Sequence, residues 1–392
     1  MRNKKTVVVI VVALVIAIAA VVVMAVSVAF LLKEPATSVE AGSGQFTGVQ
    51  SVASASSEGE KELSDETVRM IGRFRDRGEG RYQFAWPGST IEGGFRGTEI
   101  AVKLKIAKSP TANTEDYVQV IVDDGEPFVL KVENGVEEYT LATGLPDGIH
   151  RVTLVKRTET MVGILEFQGF SYLSGKEAFL PRGKSRRIEI YGDSISAGYG
   201  NDADGTMHTG FSAAQENAYM TYGMIAARNL DADCTLLAIS GMGMYQDLGG
   251  AVQPEKFFTN FGRTILSTSA AKWKFEPKPD AVILNLGTND FASRVDPTLY
   301  RQKYRHAIEE IRTVYPDAAI LCCMGTISYG ASASIQTVVE ECVAQGDDRI
   351  SFYAFQPIRP EDGIGVDGHP SGKTHQAMAD ELTAVLREKL GW

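Results

Sequence analysis

Three short polar motifs follow one another between residues 192 and 371. They are Gly-Asp-Ser-Ile-Ser at 192–196, Gly-Thr-Asn-Asp at 287–290 and Asp-Gly-His-Pro-Ser at 367–371. In that order they contain a serine hydroxyl, a side-chain amide and a histidine imidazole. Acyl transfer uses such groups as nucleophile, oxyanion donor and general base. The motifs therefore predict a site for acyl transfer, provided that the fold brings them together.

The elements that must position these motifs alternate between strand and helix from Arg186 onward. Strands are predicted at 187–191, 233–239, 280–286, 318–324 and 350–354, and helices at 217–230, 296–314, 332–345 and 371–390. Repeated β-α units imply a parallel sheet with helices on both faces, and sites in such sheets lie beyond the carboxyl ends of the strands. Gly192, Gly241 and Gly287 each follow a predicted strand. The motifs are therefore expected at one edge of the sheet.

Ser194 is the predicted nucleophile, because a tight turn after the first strand can expose its hydroxyl. Ser196 is the competing serine in the same motif. A serine at this position is otherwise a common helix cap, so its assignment depends on the other motifs.

His369 is the predicted general base among the five histidines. It precedes Pro370 just before the last predicted helix, where a loop can direct it at the site. The remaining histidines are His150 at the start of a predicted strand, His208 in a loop, His306 in a charged helix and His375 within the last helix. His150 is expected to be structural, and His306 to be solvated.

The ordered motifs resemble those of the SGNH (GDSL-like) hydrolase superfamily. Residues 68–392 are further similar to carbohydrate esterase family 2, whose members are sugar O-acetyl esterases with a β-sandwich before the hydrolase domain. The segments that carry this second resemblance are Trp-Pro-Gly-Ser at 86–89, Phe-Arg-Gly-Thr at 95–98, Val-Asp-Asp-Gly at 122–125, Gly-Ile-His-Arg-Val at 148–152, Lys-Arg-Thr-Glu at 156–159, Glu-Asn-Ala-Tyr at 216–219 and Ser-Gly-Met-Gly at 240–243.

The resemblance implies that Asp367 orients His369 through its Nδ1 proton. The chain departs here from the broad superfamily pattern, in which the acid lies three residues before the histidine, because that residue is Val366. Some members of family 2 use a backbone carbonyl instead, which Gly368 would supply. Asp362 is a further alternative acid.

The resemblance also implies an oxyanion hole formed by three donors. These are the backbone N–H groups of Ser194 and Gly241 and the side chain of Asn289, with Gly243 as a rival for Gly241. Glycine suits this role because the backbone must approach the substrate closely.

Residues 67–175 are predicted to form an antiparallel sandwich. Short alternating apolar runs at 99–106, 117–122, 128–132 and 150–157 are separated by turn signals. Trp86 or Tyr82 could stack on a sugar ring. The alternative is that Trp86 is a core aromatic residue at the seam with the next domain.

The N-terminus contains an uncharged apolar stretch at 6–32, which is 27 residues long. A bilayer-spanning helix needs about 20 residues, whereas the apolar core of a cleaved signal peptide has about 7–15. The stretch is predicted to be a membrane anchor, with residues 1–5 as a basic cytoplasmic tip and the rest of the chain outside; a signal cleaved after Ala29 is the alternative. Residues 33–66, rich in Ser, Ala, Gly and Glu, are predicted to be a flexible linker.

Bulk composition is that of a globular protein, with 44% hydrophobic and 22% charged residues. A net charge of −10 argues against a nucleic-acid partner. The cysteines, which lack zinc-ligand spacing, are expected to be buried thiols; they are Cys234, Cys322, Cys323 and Cys342.

The expected fold is a three-layer α/β/α (flavodoxin-like) SGNH hydrolase domain at 184–392. An antiparallel, jelly-roll-like β-sandwich and an N-terminal transmembrane helix precede it. The expected function is an extracytoplasmic serine esterase that removes acetyl groups from carbohydrates such as acetylxylan, through an acetyl-enzyme and without metal or organic cofactor. The alternatives are a lipase or thioesterase, a cell-wall O-acetyl esterase, or a non-catalytic carbohydrate-binding surface protein.

Overall fold

The computed structural model describes residues 61–62, 67–109, 115–174, 177–203, 210–266 and 272–392. The predicted cytoplasmic tip and anchor at 1–32 lie outside this range, as does most of the predicted linker at 33–66. Among the residues described, no helix is long and apolar enough to cross a bilayer.

The first part of the described chain consists of antiparallel strands. They are β1 (Lys61–Glu62), β2 (Val68–Ile71), β3 (Arg75–Asp76), β4 (Tyr82–Phe84), β5 (Thr90–Gly97), β6 (Glu99–Lys108), β7 (Glu115–Val122), β8 (Phe128–Glu133), β9 (Glu138–Ala142), β10 (Gly148–Lys156), β11 (Ile164–Ser174) and β12 (Glu177–Phe179). One sheet has the order β3-β4-β11-β6-β9, with β1 also paired to β11. The other has the order β12-β5-β10-β7-β8, with β2 also paired to β5.

These two sheets bury a common core. In β8 the side chains alternate, so that Leu130 and Val132 point inward while their neighbours are exposed or half-buried. They pack with residues of the opposite sheet such as Leu104 and Phe167. Period-two alternation places one face of each strand in the core. The predicted sandwich is therefore confirmed.

The second part alternates strands and helices. These are β13 (Arg186–Gly192), α1 (Ser194–Ala197), α2 (Tyr222–Asn229), β14 (Ala232–Ala238), α3 (Phe258–Phe261), β15 (Ala281–Asn285), α4 (Thr288–Ala292), α5 (Pro297–Val314), β16 (Ala319–Met324), α6 (Ser332–Ala344), β17 (Ile350–Ala354) and α7 (Gly372–Leu390). The strands form a parallel sheet of order β14-β13-β15-β16-β17. This confirms the predicted parallel sheet.

The helices cover both faces of this sheet. Tyr304 of α5 and Val338 of α6 lie in one core, and Ile225 of α2 and Leu382 of α7 in the other. Their ends follow the local sequence. Asp296 accepts a hydrogen bond from Thr298 N at 2.7 Å to cap α5, and α7 ends at Gly391 in the left-handed region.

One predicted helix begins later than the sequence suggests. Residues 217–230 were expected to be helical, but α2 starts only at Tyr222, after a short 3₁₀ turn at Ala218–Met220. The reason is a tertiary contact, because Ala218 N donates to Arg157 O in the sandwich at 2.8 Å. That bond holds the chain in an irregular conformation before the helix begins.

The seam between sandwich and hydrolase domain is held by buried side chains of the sandwich. The Arg73 guanidinium donates to Glu189 Oε1 at 3.2 Å and to Arg263 O at 3.1 Å. Trp86 donates from Nε1 to Thr264 O at 3.0 Å and is 1% exposed. Trp86 is thus a core residue at the domain seam, as one of the two alternatives predicted, and it cannot stack on a sugar.

Candidate active site

The site lies where the order of the parallel sheet reverses. The chain passes from β13 to β14 on one side and then to β15 on the other, so that Gly192 pairs with both Ala238 and Asn285. The loops that follow these three strands therefore start side by side. This topological switch point is where open α/β sheets bind their ligands.

Ser194 and His369 are in direct contact at this edge. Ser194 is the first residue of α1, a one-turn helix capped by Asp193, which accepts from Ile195 N at 3.0 Å. His369 Nε2 lies 2.8 Å from Ser194 Oγ, and His369 Nδ1 lies 3.0 Å from Val366 O. A carbonyl oxygen can only accept, so Nδ1 carries the proton and Nε2 accepts from the serine hydroxyl. This is the tautomer that a general base requires.

A backbone contact between two loops joins these residues, which are 175 positions apart. Val366 N donates to Gly200 O at 3.1 Å, and Gly372 N donates to Asn201 O at 2.9 Å. Gly200 has a φ of +60°, and a Cβ there would meet Val366 Cβ at 2.3 Å. The loop after the nucleophile therefore holds the histidine loop, and only glycine allows so close an approach.

In the described structure the Asp367 carboxylate forms no hydrogen bond to His369 Nδ1, which corrects the prediction for its role. Its carboxylate accepts from Tyr199 OH at 2.8 Å and from Gly210 N at 3.1 Å. The left-handed backbone of Asp367 (φ 52°) places its side chain away from Nδ1. The proposed alternative, a backbone carbonyl, is present, but Val366 supplies it and not Gly368.

Asp362, the remaining alternative acid, is also engaged elsewhere. Its carboxylate accepts two hydrogen bonds from Arg359, at 2.7 and 3.0 Å. It therefore orients a neighbouring arginine and not the histidine.

Tyr199 belongs to the site although sequence reasoning missed it. Its ring centroid lies 4.4 Å from that of His369, with the planes 33° apart, and its hydroxyl holds Asp367. Tyr199 thus limits how the imidazole can tilt. The available signal was Gly-Tyr-Gly at 198–200, an aromatic residue between two glycines directly after the nucleophile turn.

Asn289 lies between the Ser194 turn and the Gly241 loop. Its Nδ2 donates to Met242 O at 2.9 Å and approaches Asp193 Oδ2 at 3.4 Å. Asn289 is the second residue of α4, which starts after Gly287. Gly287 has a φ of +145°, and a Cβ there would lie 2.7 Å from Ala331 Cβ. The glycine lets the chain turn tightly enough to bring the amide to this edge.

The two rival glycines differ in the use of their N–H groups. Gly243 N donates to Asp247 Oδ1 at 3.1 Å. Within the described part of the chain, the N–H groups of Gly241 and Ser194 form no hydrogen bond. These groups are open to an incoming oxygen, so the geometry favours Gly241 over Gly243 as an oxyanion donor.

Asp290 is a second residue that sequence reasoning missed, although it completes the Gly-Thr-Asn-Asp motif. Its carboxylate accepts from the backbone N–H groups of Met244, Tyr245 and Gln246 at 2.8, 2.7 and 2.9 Å. Burial raises the pKa of Asp290, and these amide bonds oppose that rise. Asp290 therefore fixes the loop that carries Gly241.

The remaining candidates named from the sequence lie outside the Ser194–His369 contact. Ser196 is buried and bonded to Tyr222 OH at 2.8 Å. His375 is buried and accepts from Tyr222 N at 3.2 Å, and burial lowers its pKa to about 3. His306 is exposed, and His208 lies outside the described residues.

The electrostatic setting of His369 favours its neutral form. Burial lowers its pKa, and the Val366 carbonyl and the negative charge of Asp367 oppose this effect. Neutral imidazole is the form that can accept the serine proton. In the described part of the chain no cluster of three or more His, Cys, Asp or Glu could hold a metal ion, and all four cysteines are buried free thiols.

The parallel sheet carries Ser194 in the turn after its first strand and His369 just before its last helix, with Asn289 and Gly241 at the same edge. This arrangement defines an SGNH-type (GDSL-like) hydrolase. The model of the GDSL-like Lipase/Acylhydrolase family matches residues 190–377, and that of the Carbohydrate esterase 2 N-terminal domain matches residues 70–181. The chain belongs to carbohydrate esterase family 2.

Named relatives agree with this membership. A solved family two carbohydrate esterase from Clostridium thermocellum, in complex with cellohexaose, is 36% identical; the match covers 83% of this chain and 99% of that one, with a TM-score of 0.76. Cellulase/esterase CelE of Acetivibrio thermocellus is 38% identical over 82% of this chain, which spans 39% of the length of CelE. An acetylxylan esterase / glucomannan deacetylase of Cellvibrio japonicus is 28% identical over 84% of this chain and 90% of its own length.

Proposed function

We propose that this protein is an extracytoplasmic serine esterase that removes O-acetyl groups from carbohydrates. The observation that carries the proposal is the 2.8 Å contact between His369 Nε2 and Ser194 Oγ, with the Nδ1 proton held by Val366 O. A serine hydroxyl bonded to a neutral, oriented imidazole is an activated nucleophile. Family membership and the named relatives make an acetylated sugar the substrate of choice.

In the first half of the reaction, Ser194 Oγ attacks the acetyl carbonyl carbon while His369 Nε2 takes its proton. The developing negative oxygen is stabilised by the N–H groups of Ser194 and Gly241 and by the Asn289 amide. Donors fixed in advance at this position supply a large share of esterase catalysis. His369 then returns the proton to the departing sugar oxygen, which leaves an acetyl group on Ser194.

In the second half, water replaces the sugar. His369 takes a proton from the water, which attacks the acetyl-enzyme, and the same three donors stabilise the second tetrahedral intermediate. Acetate leaves and Ser194 recovers its proton. The protein groups suffice for every step, so the reaction as proposed needs no metal or organic cofactor.

The substrate class follows from the relatives and from charge. Relatives that act on acetylxylan and glucomannan or that bind cellohexaose support an acetylated β-linked polysaccharide or its oligomers. A protein of net charge −10 suits neutral acetylated chains better than anionic ones.

The extracytoplasmic location rests on the N-terminal sequence. Residues 6–32 are apolar, and Arg2, Lys4 and Lys5 precede them, an arrangement that keeps the short basic end in the cytoplasm. The catalytic part would then face outward on a flexible linker. This location can be tested by treating intact cells with protease and then detecting residues 67–392. Survival of a cytoplasmic control protein shows that the cells stayed intact. If the esterase survives as well, the proposed location is wrong.

The decisive experiment measures acetate release from 4-nitrophenyl acetate and from acetylated xylan, with Ser194→Ala beside the parent. Ser196→Ala is a matched control, because this buried serine lies two residues away and bonds to Tyr222. Release is expected from the parent and from Ser196→Ala, and not from Ser194→Ala. Activity that survives in Ser194→Ala, or that is lost only in Ser196→Ala, would reject the assignment.

Two further measurements define chemistry and substrate. Mass spectrometry of protein quenched during turnover should find the acetyl group on the peptide that contains Ser194. Comparing acetylated xylan, an acylated lipid and O-acetylated peptidoglycan under one set of conditions separates a polysaccharide esterase from a lipase and from a cell-wall esterase. Faster turnover of the lipid would replace the carbohydrate proposal.

A further inference from the structure

A loop of the sandwich domain lies against the hydrolase domain close to the catalytic serine turn. It comprises residues 156–160, starting at Lys156, the last residue of β10; we call it the 156–160 loop. Arg157 O accepts from Ala218 N at 2.8 Å, and the Arg157 guanidinium donates to Gln119 Oε1 at 2.8 Å and to Ala214 O at 3.3 Å. The loop is thereby fixed to both domains.

Within this loop the Glu159 side chain reaches across the seam to the loop after β14 that carries Gly241, residues 239–243, which we call the oxyanion loop. Its Oε2 accepts from Ser240 N at 2.9 Å, and Ser240 immediately precedes Gly241. Other bonds hold the same segment, with Ile239 N donating to Gly192 O at 3.2 Å and Leu248 N donating to Gly241 O at 2.8 Å. Glu159 thus fixes the residue whose backbone torsions set the direction of the Gly241 N–H.

The contact is made by a carboxylate in a buried place. Glu159 is 3% exposed, and burial raises the pKa of its carboxyl, an effect that bonds from Ser240 and the charge of Lys156 oppose. Lys156, itself fully buried, lies 3.2 Å from Asp116 Oδ2 and donates to Thr158 O at 2.9 Å. Burying a charged group is costly. Simple packing of two domains does not need a carboxylate here.

A second buried carboxyl group, that of Glu216 in the hydrolase domain, holds the loop from the other side. Its Oε2 accepts from Glu159 N at 3.0 Å. Burial, and the Glu159 charge beside it, raise the pKa of Glu216 well above the ordinary value. The two domains are therefore joined at this point by reciprocal bonds, Glu216 to the 156–160 loop and Glu159 to the oxyanion loop.

We infer that Glu159 is a positioning residue of the oxyanion hole, through which the sandwich domain takes part in catalysis. It acts on Ser240 and through it on Gly241, and it does not touch the substrate. The inference rests on the proposed function, because it assigns a task to Glu159 only if Gly241 is an oxyanion donor. It gives the sandwich a role apart from any binding of glycans.

The test compares variants of Glu159 in the full-length chain, kept in mild detergent because of its apolar N-terminus. Glu159→Asp keeps a carboxyl group but withdraws the acceptor by one methylene, and Glu159→Leu removes the acceptor. Glu159→Gln keeps an oxygen that can accept from Ser240 N. A misplaced donor lowers kcat for 4-nitrophenyl acetate by about 10- to 100-fold in the Asp and Leu variants. KM stays within about twofold, and the Gln variant recovers most of kcat.

Glu92→Gln is the matched control. Glu92 is another buried glutamate at the same seam, paired with Arg69 at 2.6 Å, and Arg69 also contacts Asp233 rather than the oxyanion loop. This substitution should lower the melting temperature without changing kcat. A wild-type kcat in Glu159→Asp, with only the melting temperature lowered, would overturn the inference and leave Glu159 a strap between domains.

The rate at which diethyl 4-nitrophenyl phosphate labels Ser194 separates the two possible failures. Its phosphoryl oxygen must also enter the oxyanion hole, so labelling should slow in Glu159→Asp by the factor seen in kcat. If the parent labels Ser194 but releases no acetate from any ester, the proposed function fails. If the parent releases acetate and Glu159→Asp labels and turns over at the parent rate, the positioning role alone fails.

Discussion

His369 Nδ1 donates to the carbonyl oxygen of Val366 at 3.0 Å, and no carboxylate oxygen takes its place in the described structure. The proposed catalytic pair is thus a serine–histidine dyad in which a backbone carbonyl orients the histidine. A carbonyl oxygen is neutral, so it fixes the tautomer and the ring direction but stabilises the imidazolium less than an ionised aspartate would. The site compensates in part through the charge of Asp367, which acts from beside the ring and not through a hydrogen bond to it.

Asp367→Asn is predicted to lower kcat/KM by less than about tenfold, whereas loss of a true triad aspartate typically costs about 10⁴-fold in kcat. The reason is that the Asn oxygen can still accept from Gly210 N and its amide nitrogen can donate to Tyr199 OH, while Nδ1 keeps its partner in Val366. His369→Ala, measured beside it with 4-nitrophenyl acetate, should lose activity by about 10⁴-fold or more. Equal losses in the two variants would mean that Asp367 is the orienting acid after all.

The pH dependence of kcat/KM should have its acidic limb below pH 6.5. The base must be neutral, so activity rises as pH rises through the pKa of His369, and burial lowers that pKa from the ordinary value of 6.5. Asp367→Asn removes a negative charge that favours the imidazolium, so its limb should move to still lower pH. Initial rates measured between pH 4 and 8, at intervals of about half a pH unit, test both statements. A limb above 6.5, or a shift to higher pH in the variant, contradicts them.

Asn289→Ala is predicted to lower kcat by about 10²–10³-fold with little change in KM, because the amide serves the transition state more than the bound ester. Asn289 also bonds Met242 O at 2.9 Å, so a melting curve is needed to exclude collapse of the loop. Asn229→Ala serves as control, since Asn229 bonds Thr383 at 3.3 Å on α7 and lies away from the site. If Asn289→Ala keeps the kcat of the parent, Asn289 is not an oxyanion donor.

His375 should make the fold sensitive to acid. Burial lowers its pKa in the folded state to about 3, whereas the unfolded value is near 6.5. Between these values the unfolded chain binds the extra proton, so stability falls as pH falls, by up to about 1.4 kcal/mol per pH unit. In His375→Gln the amide oxygen can still accept from Tyr222 N. This variant should therefore lack that contribution to the dependence of the unfolding free energy on pH. Urea unfolding at several pH values from 6.5 to 4 compares the two proteins; parallel slopes would contradict the prediction.

Arg73→Met should destabilise the seam by about 3–5 kcal/mol, because it leaves Glu189 buried without its cation. The Arg73 guanidinium is fully buried and also lies 5.3 Å over the Trp273 ring. Arg81→Met removes an exposed pair with Glu79 and should cost less than about 1 kcal/mol. Denaturant unfolding of the two variants measures both values. Similar small losses in both would mean that the buried pair contributes little.

The sequence by itself predicted four of the sandwich strands, the five strands of the parallel sheet, the four longest helices and the two residues that we propose to react. Alternation along β6, β8 and β10 follows from one face of each strand being buried, and the buried runs of β13 to β17 predict a sheet covered on both sides. Ser194 and His369 could be named because each stands in a short motif at the end of an element. Alternation and short motifs involve residues that are neighbours in the sequence, so the sequence alone is enough to predict them.

Only the tertiary structure decided which partner each group has. Whether Asp367, Gly368 or Val366 would orient His369 depended on the left-handed turn at Asp367 and on the contact between Gly200 and Val366. The late start of α2, the burial of Trp86 and the reach of Glu159 to Ser240 likewise depend on how the sandwich sits on the hydrolase domain. A hydrogen bond forms only when the donor–acceptor distance lies within a range of a few tenths of an ångström. Periodicity and spacing along one chain do not contain distances of that kind between residues that are far apart in sequence.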